Sequence, residues 1–149
     1  MATRLEFRCG EAQERFFIAR EARRFAALAG LPRRPCWELG VGVAELASNI
    51  ARHGGGTGFV RLTLLEAPEP CIELLVRDSG PGIPDFGAAL RDGFSRGRLR
   101  PEGEAPQAHE SLGVGLGAVA RLMDEMVLLP CTNGTTIRAI KRLKPARKA

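Results

Sequence analysis

The stretch VRDSGPGIPDF, residues 76–86, does most to decide the fold, because it joins a strand end to a bend with very few side chains. The preceding run CIELLV predicts a buried strand that ends near Asp78. Gly80 and Gly82 then flank a proline, although a turn needs only one such residue. An Asx-type turn accounts for this pattern on its own. Glycines beside a carboxylate also let a flat ligand lie against the backbone, and the carboxylate accepts hydrogen bonds from an amine.

Length and composition describe an ordinary globular protein. The chain has 149 residues, of which 44% are hydrophobic and 26% are charged. This favours a single domain, 1–149, with a sizeable core. No apolar run approaches the roughly 18 residues that a membrane-spanning helix needs, and the N-terminal residues lack the apolar centre of a signal peptide. We therefore expect a cytoplasmic protein that does not contact a membrane.

The net charge of +5 arises in one short segment. The last nine residues, KRLKPARKA (141–149), contain five basic residues and no acid, so that the rest of the chain is neutral. We expect this segment to be a solvated basic tail. The chain has one Trp and no Tyr, and its aromatic residues do not alternate with basic ones. It therefore offers little aromatic surface on which nucleic-acid bases could stack. No nucleic-acid partner is predicted.

The cysteines carry no metal-binding or disulfide signature. They are far apart in the sequence, without a CxxC pair or a cluster with histidine: Cys9, Cys36, Cys71 and Cys131. This spacing favours buried, reduced thiols over a zinc site or disulfide bonds.

Local patterns predict a mixture of strands and helices. Strands are predicted at 4–9, 59–67, 71–76, 126–130 and 135–140, and helices at 11–29, 37–52 and 117–124. The middle helix has an apolar stripe at helical spacing, formed by Leu39, Val43, Leu46 and Ile50. The last two strands form a hairpin around an Asn-Gly turn. Between 84 and 111 no periodicity survives, which predicts a loop.

A second motif, ELASN, lies on the middle helix. Glu45 and Asn49 are four residues apart, a spacing that puts both side chains on one helical face. An amide oxygen can ligate Mg²⁺, and a carboxylate can position or deprotonate a hydroxyl. Taken alone, the pair is better explained by a solvated helix face.

A third motif, SLGVGLGAVARLMDE (111–125), places alternating glycines directly before a helix: Gly113, Gly115 and Gly117. Bare N–H groups and the positive end of a helix dipole form a phosphate site. The glycines also fit the dinucleotide pattern G-x-G-x-x-G/A, which requires a preceding strand and an acidic residue about 20 positions later. Here PEGEAPQAHES precedes them, and a basic and an apolar residue stand at the later position. The dinucleotide interpretation fails on this context.

The order of the three motifs resembles the GHKL ATPase superfamily, which includes the ATP-binding domains of gyrase, Hsp90, histidine kinases and MutL. A helix with E-x-x-x-N, a strand-end D-x-G-x-G, a loose segment, and G-x-G-x-G opening a helix occur in that order. The resemblance implies a two-layer α/β sandwich with a mixed, mostly antiparallel sheet and helices on one face. It also implies a mobile ATP lid at 84–112, and ATP and Mg²⁺ as cofactors.

The resemblance gives each motif a role. Asp78 would bind the adenine amine, together with Thr135. Glu45 would be the general base, and Asn49 would ligate Mg²⁺ and the phosphates. The other nucleotide-binding residues that it implies are His53, Gly80, Gly82, Ile83, Gly113, Val114, Gly115, Leu116 and Gly117.

Within this superfamily, three stretches are similar to the RsbT-type serine/threonine kinases, relatives of the anti-sigma factor kinases RsbW and SpoIIAB. They are GPGIPDF…LRDGFS (80–95), LGVGLGAVARLMDEM (112–126) and NGTTIRAIKRL (133–143). The segment 97–110 is longer than such kinases carry, and Ala118 stands where they usually have proline or glycine. We expect the longer lid to alter nucleotide trapping and partner contact rather than the chemistry. The lid arginines that are candidates for contact with the γ-phosphate are Arg91, Arg96, Arg98 and Arg100.

The implied activity is transfer of the γ-phosphoryl group of ATP to a serine or threonine of a partner protein. That partner would be a small STAS-domain antagonist protein in a partner-switching pathway that regulates a sigma factor or a phosphatase. The resemblance leaves a homodimer open. The alternative is a binding module, an anti-sigma factor or phosphatase activator, which sequesters a sigma factor or a phosphatase regulatory domain while the nucleotide only sets its conformation.

Overall fold

The computed structural model describes residues 3–11, 13–53, 57–80, 94–95, 98–99, 115–129 and 133–144. In chain order the elements are β1 (Arg4–Cys9), α1 (Glu14–Leu28), α2 (Arg33–His53), β2 (Gly58–Leu65), β3 (Cys71–Asp78), β4 (Phe94–Ser95), β5 (Arg98–Leu99), α3 (Gly115–Leu122), β6 (Glu125–Leu129) and β7 (Thr135–Arg142). Five strands form one sheet in the order β1-β2-β3-β7-β6, and β4 pairs with β5 separately. Every one of these pairings is antiparallel.

The register of the sheet gives it one apolar face. Val60 on β2 pairs with Val76 on β3, and Val76 pairs with Ile137 on β7. On the same face, two residues closer to the sheet centre, Leu62 pairs with Leu74. All five side chains are buried in the core. Because side chains alternate between the two faces of a strand, Asp78 and Thr135 continue this same face to the end of the sheet.

The three helices of the described ranges cover that face. The predicted stripe on α2 is buried at all four positions, in one cluster with the sheet residues. Two glycines of α2 face the neighbouring helices, and only the contact at Gly40 is tighter than ordinary van der Waals packing. A Cβ at Gly40 would lie 2.9 Å from Arg23 Cγ of α1, and a Cβ at Gly42 would lie 3.5 Å from Val119 Cγ1 of α3. The predicted two-layer sandwich with helices on one face is therefore confirmed.

The helix starts lie two to four residues from the predicted ones, and α1 begins at Glu14 rather than at residue 11. Helix α2 begins at Arg33 rather than at residue 37, with Pro35 in its first turn. Proline is tolerated there because the first N–H groups of a helix have no intrahelical partner. Helix α3 begins at Gly115, inside the glycine run, rather than at Gly117.

The prediction of a solvated tail from residue 141 onward is wrong at its start. Lys141 and Arg142 are the last residues of β7, and Lys141 is only 6% exposed. Its amine reaches the C-terminal end of α3 rather than solvent, since Lys141 Nζ donates to the carbonyl oxygen of Leu122. Residues 145–149 lie outside the described part of the chain, as does most of the predicted lid, 84–112.

Three of the cysteines are free, buried thiols: Cys9, Cys36 and Cys71. Burial, with a smaller effect of the nearby Glu14 carboxylate, raises the pKa of Cys9 to about 11, so this thiol is uncharged at neutral pH. Cys131 lies outside the described residues. No helix in the described ranges is both long and apolar enough to cross a membrane.

Candidate nucleotide site

Asp78 ends β3 with its side chain fixed by backbone donors. The N–H of Gly80 donates to Asp78 Oδ1 at 2.9 Å, and the N–H of Thr135 donates to the same oxygen at 3.1 Å. The described residues provide no hydrogen-bond partner for Oδ2. The carboxylate is therefore oriented through one oxygen, and the other can accept a hydrogen bond from a ligand.

Two glycines allow the backbone to pack closely around the end of β3. Gly134 has φ +92°, and a Cβ there would lie 1.9 Å from the carbonyl oxygen of Asp78. On the other neighbouring strand, a Cβ at Gly58 would lie 2.3 Å from the carbonyl oxygen of Arg77 and 3.2 Å from Asp78 Cα. Any larger residue at either position would displace the end of β3.

The residue after Asp78 is also tied to the neighbouring strand. Thr57 Oγ1 and Ser79 Oγ are 2.6 Å apart, and the N–H of Ser79 donates to the carbonyl oxygen of Thr57 at 3.3 Å. These contacts fix the backbone position of Ser79, and therefore the point at which the chain continues to Gly80.

The ELASN motif lies on the part of α2 that approaches these strand ends. A Cβ at Gly58 would lie 2.9 Å from Cγ2 of Ile50, the residue that follows Asn49. Glu45 is 1% exposed, and Asn49 is half-buried. Glu45 is thus buried rather than on a solvated helix face.

Ser48, between the two motif residues, has a buried hydroxyl. It is 1% exposed, and its Oγ has no hydrogen-bond partner among the described residues. Buried hydroxyls without a partner are uncommon in native proteins and call for an explanation. A bound polar ligand would provide one.

Helix α3 begins within the glycine run, at Gly115. Gly115 has φ +66°, in the left-handed region that favours glycine, while Leu116 and Gly117 are buried. Val119 of this helix and Met123, just after its last residue, lie next to Gly42, one turn before Glu45 on α2. The glycine-led start of α3 and the ELASN motif are therefore carried by two helices in direct contact.

The remaining predicted positions cannot be placed. Gly82, Ile83, Gly113 and Val114 lie outside the described residues, and so do the side chains of His53 and the lid arginines. Of the predicted set, the structure brings Asp78, Gly80 and Thr135 into direct contact.

The ELASN motif fits a magnesium ion bound partly through substrate phosphates, because Asn49 offers an amide oxygen. In the described ranges, no three His, Cys, Asp or Glu side chains are grouped so that they could hold a metal ion. Mg²⁺ usually keeps several waters and is bound through one or two protein oxygens plus substrate phosphates. Asn49 would supply such an oxygen.

Sequence patterns did not identify every residue that builds the site. Gly134 was noticed only as a turn residue, although its positive φ at the start of β7 lets Thr135 reach Asp78. Gly58 and Ser48 gave no sequence signal, because their importance depends on sheet register and on burial.

Comparisons with known proteins identify the family and the fold. Residues 11–141 match the model of a family described as histidine kinase-like ATPase domain. Over 103 residues, covering 68% of each chain, the sequence is 34% identical to the serine/threonine-protein kinase RsbT of Bacillus subtilis. The mycobacterial sensor histidine kinase MprB superposes with a TM-score of 0.51 at 19% identity, covering 95% of this chain and 97% of that structure. The last comparison concerns the fold alone.

Proposed function

This chain belongs to the family of histidine kinase-like ATPase domains, and on that premise we propose that it is a Mg²⁺-ATP-dependent protein kinase that phosphorylates serine or threonine. ATP would be held by three elements: the end of β3, helix α2 and the start of α3. The 34% identity to RsbT supports the choice of serine or threonine as acceptor.

The main support for the proposal is that the two oxygens of the Asp78 carboxylate differ in their hydrogen bonds. Its Oδ1 accepts two backbone N–H groups, and Oδ2 has no partner in the described part of the chain. An oriented acceptor, followed in the sequence by Ser-Gly-Pro-Gly with few side chains, matches the exocyclic amine of adenine, which is a donor on a flat ring. This end of the site would select the base.

Helix α2 would carry the chemistry. Asn49 would bind Mg²⁺ and the phosphates, and the metal would offset their charge. Glu45 would orient the acceptor hydroxyl and accept its proton while the hydroxyl oxygen bonds to the γ-phosphorus. The bond from that phosphorus to the β–γ bridging oxygen breaks at the same time, and ADP leaves.

The phosphates would lie at the start of α3. The N–H groups of Gly115 and Gly117 have no side chain beside them, and the positive end of the helix dipole favours an anion there. Packing of α3 against α2 through Gly42 supports this placement, since it joins the phosphate-binding and catalytic elements.

The proposed substrate is a STAS-domain antagonist protein in a partner-switching pathway, with a sigma factor or a phosphatase as the regulated target. The relationship to RsbT supports this assignment. A cytoplasmic location and a homodimer remain predictions.

The test is a capture experiment with the full chain. The protein is loaded with Mg²⁺-ATP or with Mg²⁺-ADP, each sample is used to capture partners, and the captured proteins are analysed by mass spectrometry for phosphoserine and phosphothreonine. We expect a STAS-domain protein that is phosphorylated only in the ATP sample. If ATP binds and a partner is captured but remains unmodified, the chain is a nucleotide-gated binding module instead.

A further inference from the structure

Lys141 is a buried cation that none of the roles above uses. It is 6% exposed and pairs with Ile72 across the β3–β7 ladder, on the face of the sheet that the helices cover. Its Nζ donates to the carbonyl oxygen of Leu122, the last residue of α3. The same nitrogen lies 3.7 Å from Glu38 Oε1 on α2. A buried charge is costly unless it is paired, so its position is strongly determined.

The contacts of Lys141 connect three elements. Its own strand, β7, begins with Thr135; α2 carries Glu45 and Asn49; and α3 begins in the glycine run. One ammonium group therefore joins the elements that would bind the base, the metal and the phosphates.

Helix α3 depends on such an anchor. It has eight residues, and a helix of that length is marginal on its own. The carbonyl groups of its last turn have no intrahelical partners, and a cation there also interacts favourably with the negative end of the helix dipole. Lys141 supplies both a donor and a charge at this end.

The turn after α3 is fixed to β7 in the same place. The N–H of Asp124 donates to the carbonyl oxygen of Ile140 at 2.8 Å, and Asp124 Oδ2 accepts the N–H of Arg142 at 2.6 Å. The C-terminal end of α3 is thus anchored to the sheet on both sides of Lys141, whereas its other end begins at a glycine with positive φ, Gly115.

We infer that Lys141 is a positioning residue for phosphate binding: by holding the C-terminal end of α3 against α2 and β7, it sets where Gly115 and Gly117 meet the phosphates. This inference rests on the proposed function. Lys141 and Thr135 stand six residues apart on β7, about 20 Å at the rise of a strand. Loss of Lys141 should therefore weaken phosphate binding and leave adenine recognition intact.

The experiment compares ligands that differ only in their phosphates. Dissociation constants for ATP, ADP and adenosine are measured in magnesium buffer, by calorimetry and by displacement of a fluorescent adenine nucleotide, for the wild type and Lys141→Met. We expect ATP and ADP to bind about tenfold or more weakly to the variant, with adenosine within about twofold of the wild type. Equal losses for all three ligands, or no loss, would overturn the inference.

Two further variants keep the test decisive. Arg138→Met removes an ion pair with Glu73 from the opposite face of β7, and it should leave all three affinities unchanged. Glu38→Gln removes the charge that faces Lys141 from a partly exposed side chain. It should weaken ATP about threefold and spare adenosine, which tests the inference even if Lys141→Met does not fold. A wild type that binds no adenine nucleotide would contradict the proposed function itself. Variants whose affinities for ATP, ADP and adenosine keep the wild-type ratios would contradict only the role of Lys141.

Discussion

The N–H of Thr135, the first residue of β7, donates to Oδ1 of Asp78, the last residue of β3, at 3.1 Å. The two residues are 57 positions apart in the sequence, but they pair directly across the antiparallel ladder. Among the described residues, Oδ2 has no hydrogen-bond partner. A side chain that looks like part of a local turn is therefore oriented by a distant strand.

Replacing Asp78 by Asn should weaken nucleotide binding strongly while changing the stability of the fold only slightly. The amide oxygen of Asn can still accept the two backbone N–H groups, so the melting temperature should change by only a few degrees. The amide nitrogen would then occupy the position of Oδ2 and present a donor to the donor amine of adenine. We expect ATP affinity to fall about 100-fold or more in a calorimetric titration, since a hydrogen bond to a charged group is lost and a repulsive contact is added. Normal ATP affinity in Asp78→Asn would remove Asp78 from adenine recognition.

Replacing Gly134 by Ala should disrupt both stability and the site. The left-handed backbone costs a non-glycine residue about 1–2 kcal/mol, and the new Cβ would collide with the carbonyl oxygen of Asp78. Gly30→Ala is a matched control, because Gly30 has φ +100° and open space around it. Denaturant unfolding should show a loss of about 1–2 kcal/mol for Gly30→Ala and a larger loss for Gly134→Ala, and only the latter should lose ATP binding. Equal effects of the two substitutions would show that the contact with Asp78 does not matter.

Replacing Glu45 by Gln should leave ATP bound but unreactive. The side chains have the same shape, so the buried position is kept, but Gln cannot accept a proton. We expect ATP affinity within about threefold of the wild type, and turnover of radiolabelled ATP reduced about 100-fold or more, in the range of general-base effects. Glu73→Gln, on the opposite face of β3, is the control and should turn over ATP normally. Unchanged turnover in Glu45→Gln would exclude Glu45 as the base.

Much of the fold could be predicted because it depends on local periodicity. The alternation in β2 and β3, the apolar stripe of α2 and the Asn-Gly turn before β7 each follow from a few neighbouring residues. The position of Asp78 at a strand end is local in the same way. Helix α2 begins at Arg33, before the predicted start, and Pro35 does not interrupt it because proline is acceptable in a first turn.

The rest of the site depends on contacts that a sequence does not display. Asp78 Oδ1 accepts the N–H of Thr135 because the β3–β7 register places these two residues opposite each other. Burial makes Ser48 and Lys141 notable, yet their surroundings in the sequence are polar and predicted a solvated surface. Gly58 matters only because β2 passes close to Asp78.

The most direct test of the adenine site is a calorimetric titration of the wild-type chain in magnesium buffer with two triphosphates. One is ATP, and the other is purine riboside triphosphate, which lacks the exocyclic amine. If Asp78 Oδ2 accepts that amine, ATP should bind about 10- to 100-fold more tightly than its analogue, the effect of one hydrogen bond to a charged group. Equal affinities, or no heat with either ligand, would contradict the account.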